Sequence, residues 1–299
     1  MREALVGFFA ATLRISTPLL LGGLGEMVIE KSGVLNLGIE GTMLLSAFTG
    51  FLTIHFTHSP WPGLLIAMLT GVLMGLLLGG LTVSLGLRQH VCGLGITILA
   101  TALALYLYRV VFGTPPIPPR TETFQPLELG GIFRQYLLTY IAFALVGLLH
   151  FLFTKTPFGL RLKAVGANPK ALDAAGVSVH LLRYKALALG GALIGAGGAF
   201  LSTAQLGFFQ EGIVSGRGWV ALALVTFGNW NPSGVLAGAL LFSGIEAAQM
   251  RTQTLGVNLP HEIFSLAPYL LTVLALAFLR RRKAPLALLE PYPKREEEI

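Results

Sequence analysis

Two carboxylates lie within apolar stretches of this 299-residue sequence, and they are the side chains best placed for chemistry inside a membrane. Each has an amide nearby: Asn36 stands four residues before Glu40, and Gln249 stands three residues after Glu246. On a helix, these spacings put both members of a pair on one face. Because an ionisable group within a span usually faces a bundle interior or a wet cavity, we predict that these four residues line a path. The alternative is that they join helices by hydrogen bonds.

The charge of this predicted path favours a neutral solute. Arg14 and Arg109 are the basic residues closest to the span interiors, and both lie near enough to a span end to reach the lipid headgroups. A path rich in carboxylates and amides repels phosphates. It accepts hydrogen bonds from hydroxyl and ring N–H groups. We therefore expect a neutral, polar solute that carries hydroxyl groups.

A second group of residues predicts a short helix in a polar segment. The stretch from 165 to 176 reads VGANPKALDAAG, in which Asn168 is a preferred N-cap and Pro169 suits the first helical position. Residues 170–175 are mostly good helix formers, and Gly176 can adopt the left-handed conformation that ends a helix. These signals predict a helix of about two turns.

A helix this short is marginal in water and needs a surface to pack on. Arg161 and Lys163 precede it, and Leu172 and several alanines lie within it, next to Asp173, the only aspartate in the chain. The residues leave two interpretations open. The helix either presents Leu172 to a groove in another protein or packs against its own chain as a connecting loop.

Several kinds of enzyme site are missing from the sequence. It contains no GxxxxGK[ST] loop for nucleotide phosphates, no HExxH zinc motif and no GxSxG nucleophile elbow. Its six histidines show no metal-ligand spacing, and its one cysteine, Cys92, lies in an apolar setting. We therefore expect neither a catalytic centre nor a metal or other cofactor, and no hydrolysis of ATP by this chain alone.

The composition predicts an all-α integral membrane protein. Hydrophobic residues make up 54% of the chain and charged residues 12%, and most apolar runs have the length of about 20 residues that spans a bilayer. The runs cover residues 4–24, 34–56, 61–87, 91–112, 136–153, 186–206, 219–227, 235–248 and 264–279. They predict a polytopic bundle of about eight to ten transmembrane helices that forms a single domain over residues 1–299.

Two details of this prediction concern polar interruptions. The runs at 219–227 and 235–248 are separated by GNWNPSG, so they form either two thin spans or one broken helix. Glu26, Glu30 and Lys31 occur together in GEMVIEKSG and are expected to form a loop between spans.

The distribution of basic residues along the chain indicates its orientation in the membrane. The net charge is +7, and more than half of the 21 basic residues lie in the segment 154–185 or in the tail 280–299. Basic loops stay in the cytoplasm, so we expect both regions there and the proline-rich segment 113–135 outside. This distribution argues against nucleic acid as a partner. The N-terminus is external with nine crossings and cytoplasmic with ten.

Four long stretches resemble the permease subunits of bacterial ATP-binding cassette importers. They read GEMVIEKSGVLNLGIEGTMLLSAFTGF, FGLRLKAVGANPKALDAAGVSV, GRGWVALALVTFGNWNPSGVLAGALLF and APYLLTVLALAFLRRR, and they are spread over nearly the whole chain. The similarity is to the branched-chain amino acid and simple-sugar permease superfamily, in its nucleoside and ribose-type branch. This branch makes a nucleoside the first expected solute and a pentose-like sugar the second.

The resemblance implies a complex in the cell membrane. It consists of two permeases, two cytoplasmic ATPase subunits and an external substrate-binding lipoprotein, and the compact length favours a heterodimer of permeases. In this family, the loop that matches residues 159–179 couples the permease to the ATPase. The resemblance thus assigns coupling to Arg161, Lys163, Asn168, Pro169, Leu172, Asp173 and Gly176.

An ion-coupled secondary transporter is the alternative function, because carboxylates inside a membrane can also relay protons. A transporter of that kind would need no ATPase partner. A membrane enzyme is less consistent with the sequence, since no nucleophile, metal or acid–base group is apparent.

Overall fold

Every regular element in the described part of the chain is a helix. The structure is a computed structural model that describes residues 2–254 and 284–290. Its α-helices are α1 (Arg2–Glu30), α2 (Ile39–Thr57), α3 (Pro60–Gly79), α4 (Gln89–Phe112), α5 (Leu137–Lys155), α6 (Pro157–Ala167), α7 (Pro169–Ala174), α8 (Val179–Phe200), α9 (Arg217–Phe227) and α10 (Pro232–Thr254). Two π-helical turns extend α3 and α8, at Gly80–Ser84 and Leu201–Leu206. A 3-10 turn covers Gly131–Phe133.

In the described residues, seven helices are long and apolar enough to cross a bilayer: α1 to α5, α8 and α10. The predicted polytopic, all-helical membrane fold is therefore confirmed. The predicted span at 264–279 lies outside the described residues, as do residues 280–283 and 291–299 of the predicted tail.

The bundle has two ends that differ in composition. We call the end that carries α6 and α7 the basic end, because Arg161 and Lys163 are exposed there. We call the opposite end the proline-rich end, because it carries residues 113–136. The N–H of Thr121 in that segment donates to the carbonyl of Gly207 (2.9 Å), just after α8.

The first helix connects these two ends. Near its start, the Ala10 carbonyl accepts a hydrogen bond from the Gln135 side chain at the proline-rich end (2.9 Å). Just after its last residue, the Lys31 carbonyl packs against Gly166 of α6 at the basic end. α1 therefore runs from the proline-rich end to the basic end, and α2, α3, α4 and α5 follow in alternating directions.

The stretch between α8 and α10 crosses the bundle by a route that is only partly helical. It leaves the proline-rich end at Gly207 and reaches the basic end at Trp230, whose indole contacts the last residue of α1, Glu30. Residues 208–216 are not helical, and α9 has only 11 residues. Such a helix is about 17 Å long, which is too short to span a bilayer alone.

The runs at 219–227 and 235–248 thus form neither two thin spans nor one broken helix. They form the half-length α9 and the full-length α10, which are joined by a turn at residues 228–231. α10 returns to the proline-rich end, because Val235 lies beside Gly23 and Arg251 lies beside Gly7. The described residues therefore cross the bundle eight times.

Glycines set the closest helix contact in the core. A Cβ atom at Gly71 of α3 or at Gly191 of α8 would overlap the backbone of the opposite helix. The same is true of Gly75 against the carbonyl of Leu187. In a bilayer, small residues let helices approach closely enough to gain van der Waals contact. This pair of helices is the rigid centre around which α1 and α2 pack.

Candidate functional site

The short helix α7 has the caps that the sequence predicts. The Asn168 side chain accepts a hydrogen bond from the N–H of Ala171 (3.0 Å), and Pro169 stands in the first turn. Gly176 follows the helix with φ of +78°, the left-handed conformation that favours glycine. The predicted start and stop are therefore confirmed, and the helix is six residues long.

Only one face of α7 is open. Pro169 is buried, and the half-buried Leu172 packs with a small apolar cluster that includes Val165 and Val179. The exposed residues are Lys170, Ala171, Ala174 and Ala175, and Asp173 is half-buried. Leu172 thus packs the helix onto its own chain, and the open face consists of a lysine and alanines.

A second helix, α6, stands directly before α7 and was not predicted from the sequence. Thr156 caps it, because the threonine hydroxyl accepts a hydrogen bond from the N–H of Gly159 (3.2 Å), and Pro157 occupies its first turn. The Thr-Pro pair is the same kind of signal as the Asn-Pro pair of α7 and could have revealed this helix. Arg161 and Lys163 lie on it and are exposed.

The described part of the C-terminal tail is attached to these helices. The Ala287 N–H donates to the carbonyl of Gly166 in α6 (2.8 Å), and Ala287 is buried. The buried guanidinium of Arg183 donates to the carbonyls of Ser32 (3.2 Å) and Glu290 (3.5 Å). Residues 284–290 therefore lie at the basic end, beside α6 and the end of α1.

Lys31 links the end of α1 to the same region. Its ammonium group lies over the ring of Phe153 at 4.9 Å, a cation–π contact. Burial, and to a smaller extent the nearby charge of Lys163, lower the pKa of Lys31 from its ordinary 10.5 to about 8. The charge of this loop therefore depends on pH just above neutrality.

The carboxylate of Glu40 is bound by the N-terminus of α9. Its two oxygens accept hydrogen bonds from the N–H groups of Gly216 (2.8 Å) and Gly218 (2.7 Å). A helix N-terminus presents unpaired N–H groups and a partial positive charge, so it favours an anion. Gly218 permits the approach, because a Cβ atom there would lie 2.7 Å from the Cα of Glu40.

Glu246 has a basic partner that sequence reasoning missed. The guanidinium of Arg217, the first residue of α9, contacts its carboxylate at 2.6 Å. The prediction that Arg14 and Arg109 are the basic residues closest to the span interiors therefore missed Arg217. Arg217 precedes the apolar run at 219–227, and only the half-length α9 places it inside the bundle. Its position between two glycines was the available signal.

This ion pair is not fully buried. The side chains of Arg217 and Glu246 are 18% and 28% exposed, and both lie between α9 and α10, well inside the bundle. Gln249 is half-buried on the same helix as Glu246, as its spacing predicted. Because charges are rarely exposed to lipid, this face must meet water or another protein.

Asn36 does not share a helix face with Glu40, so that prediction is wrong. α2 begins only at Ile39, and Asn36 lies in the non-helical stretch before it. Its side-chain oxygen accepts a hydrogen bond from the N–H of Gly38 (2.9 Å), which shapes the turn into α2. Asn36 is buried and reaches the path only through this turn.

Glu26 and Glu30 are not in a loop, contrary to the prediction. Both lie in the last turns of α1 and are buried. Glu26 accepts a hydrogen bond from the N–H of Asn36 (2.9 Å), and Glu30 accepts one from the indole Nε1–H of Trp230 (2.6 Å). Hydrogen-bond partners outside α1 thus allow the helix to continue through residues that are usually charged.

The candidate site brings hydrogen-bonding and charged groups together at one helix end. Among residues 2–254 and 284–290, no three His, Cys, Asp or Glu side chains are close enough to hold a metal ion. What the structure does bring together is a half-length helix whose N-terminus meets Glu40 and the Arg217–Glu246 pair. Half-length helices of this kind form the substrate sites of many membrane transporters.

Comparison with known proteins also indicates a membrane transporter. Residues 8–276 match the family model described as the permease component of the branched-chain amino acid transport system. A putative glucose ABC transporter permease protein of Haloferax volcanii, TsgC13, is 36% identical over 96% of this chain and 97% of its own. The guanosine ABC transporter permease protein NupQ of Bacillus subtilis is 35% identical over 95% of both chains.

A third relative differs more. The guanosine ABC transporter permease protein NupP, also from Bacillus subtilis, is 25% identical over 80% of this chain and 72% of its own. No solved structure matches the chain.

Proposed function

Since the chain belongs to the permease-component family of the branched-chain amino acid transport system, we propose that it imports a nucleoside or a simple sugar as part of a larger complex. The chain is a multi-pass permease subunit of an ATP-binding cassette transporter. The proposed partners are a second permease, two cytoplasmic ATPase subunits and an external substrate-binding lipoprotein. ATP hydrolysis belongs to the ATPase subunits. The observation that carries the proposal is the similarity to a guanosine permease over 95% of both chains.

The basic end faces the cytoplasm in this proposal. Lys155, Arg161, Lys163, Lys170 and Lys185 are all exposed there, and short basic loops remain on the cytoplasmic side. The tail residues 284–290 lie at the same end, so the C-terminus is cytoplasmic. The eight described crossings and the predicted span at 264–279 make nine, which supports an external beginning of α1 when the basic end is cytoplasmic.

The pair of helices α6 and α7 is the surface that couples the permease to an ATPase subunit. α7 offers an open face of Lys170 and alanines, while Leu172 and Pro169 fix it to the bundle. Asn168 and Gly176 define its two ends. A short helix that is capped at both ends and anchored on one side can transmit a displacement as a rigid unit. Arg161, Lys163 and Asp173 supply the charges around it.

The path lies along the face that α9 and α10 share. Glu246 and Gln249 lie on α10, while Arg217 and the bound Glu40 lie at the N-terminus of α9. Since the Arg217–Glu246 pair is partly exposed at membrane depth, we place a wet cavity and the second permease against this face. Asn36 contributes by holding the turn before Glu40.

The solute is neutral and carries hydroxyl groups. Among the described residues, the path has two carboxylates, one arginine and the amide of Gln249, so it provides acceptors for hydroxyl and ring N–H groups and donors from Arg217 and Gln249. Relatives are named for guanosine and for glucose. We place a nucleoside first and a simple sugar second.

The second permease is a different chain. Two relatives from Bacillus subtilis, NupQ and NupP, are both named guanosine permease proteins, and this chain is 35% identical to one and 25% identical to the other. Two permeases for one solute in one organism favour a heterodimer. The present chain then corresponds to the subunit of the NupQ type.

The proposed transport cycle follows from the positions of the path, of α6 and α7, and of the two ends of the bundle. The lipoprotein delivers the solute at the proline-rich end, and ATP favours the closed ATPase dimer over the open one. A ligand shifts a conformational equilibrium only through its different affinity for two states, and here ATP provides that difference. Closure moves α6 and α7, and opening then releases the solute at the basic end.

Purification of the tagged chain from cells that express its neighbouring genes tests the class of transporter. We expect two ATPase subunits and a second permease to be recovered in stoichiometric amounts. Proton-driven uptake by this chain alone in liposomes would instead show an ion-coupled secondary transporter.

An uptake panel tests the solute. Cells that contain the whole complex receive radiolabelled guanosine, adenosine, ribose, glucose or a nucleotide. We expect uptake of a nucleoside first, or of a sugar, and none of the nucleotide. Efficient uptake of the nucleotide would contradict the proposed path.

A further inference from the structure

Helix α9 is attached at both of its ends, and each attachment joins it to a different functional region. At the basic end, Trp230 in the following turn donates its indole N–H to the Glu30 carboxylate (2.6 Å). At the other end, the N–H groups of Gly216 and Gly218 bind the Glu40 carboxylate. Both contacts are short hydrogen bonds to a carboxyl group, so α9 is held at both of its ends.

The Trp230–Glu30 contact is adjacent to α6 and α7, the proposed coupling helices. The residue after Glu30 is Lys31, whose carbonyl packs directly against Gly166 of α6 without space for a Cβ atom. The Lys31 ammonium lies over Phe153 at the end of α5. A displacement of α6 therefore reaches the end of α1 through a contact that has no free volume.

The turn after α9 has little freedom to absorb such a displacement. Asn229 and Trp230 both have positive φ, at 51° and 53°, which is uncommon for residues other than glycine. The backbone N–H of Trp230 donates a hydrogen bond to the Val225 carbonyl (3.0 Å), which closes the turn. Gly228 packs so closely on the start of α10 that a Cβ atom there would lie 2.5 Å from the Val235 nitrogen.

The far end of α9 carries the charged groups of the path. Arg217 is its first residue and pairs with Glu246 of α10, while the adjacent N–H groups hold Glu40 of α2. A shift or tilt of α9 therefore changes both contacts together. Three helices of the path meet at this one helix end.

We infer that α9 is the rod that carries the movement of α6 and α7 to the solute path, and that the Trp230–Glu30 hydrogen bond is the joint at its cytoplasmic end. Trp230 and Glu30 are positioning residues, since neither touches the solute. Without the joint, the ATPase subunits still bind and hydrolyse ATP, but α9 no longer follows them. The inference rests on the proposed importer function.

Variants of the two partners test the joint in the reconstituted complex with its lipoprotein. Trp230→Phe keeps an aromatic ring and removes the donor. Glu30→Met removes the acceptor at similar volume, whereas Glu30→Gln keeps an acceptor oxygen. Trp61→Phe, which changes an exposed tryptophan of α3 at the proline-rich end, is the matched control. The readouts are labelled guanosine transported per ATP hydrolysed and recovery of the ATPase subunits.

We expect Trp230→Phe and Glu30→Met to lower the ratio of guanosine to ATP at least about fivefold, which is the low end of coupling effects between sites. Recovery of the ATPase subunits should stay unchanged, and Glu30→Gln and Trp61→Phe should retain most of the ratio. If Trp230→Phe fails to assemble, the two Glu30 variants give the answer with the tryptophan in place.

The results separate this inference from the proposed function. A wild-type complex without ATP-driven uptake overturns the importer itself. A working wild type with an unchanged ratio in Trp230→Phe and Glu30→Met overturns only the joint. Equal defects in Glu30→Gln and Glu30→Met also overturn it, because the hydrogen bond would then be irrelevant.

Discussion

At the scale of single residues, Glu40 shows how one carboxylate can organise a path. The N-terminus of a helix carries a partial positive charge of about half a unit, so an ionised Glu40 holds α9 against α2. The same oxygens lie at the surface that we assign to the solute. We therefore propose a transport role for Glu40 at the same position where it has a structural partner.

Neutralising Glu40 should weaken this contact. In Glu40→Gln, one amide oxygen replaces two charged acceptors, and we expect roughly tenfold slower guanosine uptake, since a hydrogen bond to a charged group is worth about 1.5–3 kcal/mol. Uptake is normalised to the protein level in the membrane. Glu128→Gln, which changes an exposed carboxylate at the proline-rich end, serves as the control. Wild-type flux through Glu40→Gln would contradict this role.

The Arg217–Glu246 pair predicts a non-additive effect. Glu246→Gln or Arg217→Gln leaves one charge within the membrane without its partner, which costs more than the ~1 kcal/mol of an exposed pair. The double variant removes both charges. We therefore expect higher stability in the double variant than the two single losses would give together. Thermal unfolding of the purified complex measures this, and additive losses would show that the ion pair does not matter.

Lys31 predicts a pH dependence. Its folded pKa of about 8 is below the ordinary 10.5, so the folded protein binds fewer protons than the unfolded chain between these values. The free energy of unfolding should thus rise with pH from about 8 to 10.5. Melting temperatures across this range should show the rise in the wild type and less of it in Lys31→Met. Lys155→Met, an exposed lysine at the same end, should behave like the wild type.

At the scale of elements, α7 provides the clearest test of coupling. Gly176→Val places a β-branched residue at φ of +78°, which costs about 1–2 kcal/mol in the left-handed region. No atom lies within 4 Å of the added Cβ, so the effect comes from the backbone alone. We expect loss of ATPase binding or of transport-linked hydrolysis at unchanged expression. Gly176→Asn tolerates this conformation and should retain function.

The elements also show what the sequence could predict. The caps of α7 depend on Asn168, Pro169 and Gly176, which act within one short stretch, so local rules found both ends of this helix. Hydrophobic run lengths likewise located most spans. These signals are local and need no knowledge of the fold.

Other features depended on partners far away in the sequence. Glu26 and Glu30 read as loop residues because their hydrogen-bond partners, Asn36 and Trp230, are supplied by tertiary structure. Arg217 was overlooked as the partner of Glu246 because only the half-length α9 places it inside the bundle. The candidate path residues were predicted on two helix faces, but Glu40 and the Arg217–Glu246 pair meet at one helix end.

At the scale of the whole molecule, the alternation of the passes fixes the relation between the two ends. Eight described crossings place α6, α7 and residues 284–290 at one end, with the beginning of α1 at the other. From the basic residues at the first of these ends, we propose that it is the cytoplasmic one. The proposed orientation in the membrane thus depends on the basic residues, whereas the number of described crossings depends on the directions of the helices.

Cysteine labelling tests this orientation. Two single-cysteine variants are compared: Lys170→Cys at the basic end and Glu128→Cys at the proline-rich end. Both positions are exposed. In intact cells, a membrane-impermeant maleimide should label the cysteine at 128 and leave the one at 170 unlabelled until the cells are opened. The native Cys92 is buried and can be replaced by alanine as background control. The reverse pattern would invert the proposed topology.

The central claim is that this chain moves a neutral solute only when ATPase subunits drive it. The most direct measurement is uptake of labelled guanosine, with glucose and ribose in parallel, by proteoliposomes that contain the purified complex and its lipoprotein. We predict accumulation of at least one of these solutes with ATP, none with a non-hydrolysable analogue and none by the chain alone under a proton gradient. Accumulation by the chain alone, or by the complex without ATP, would contradict the account.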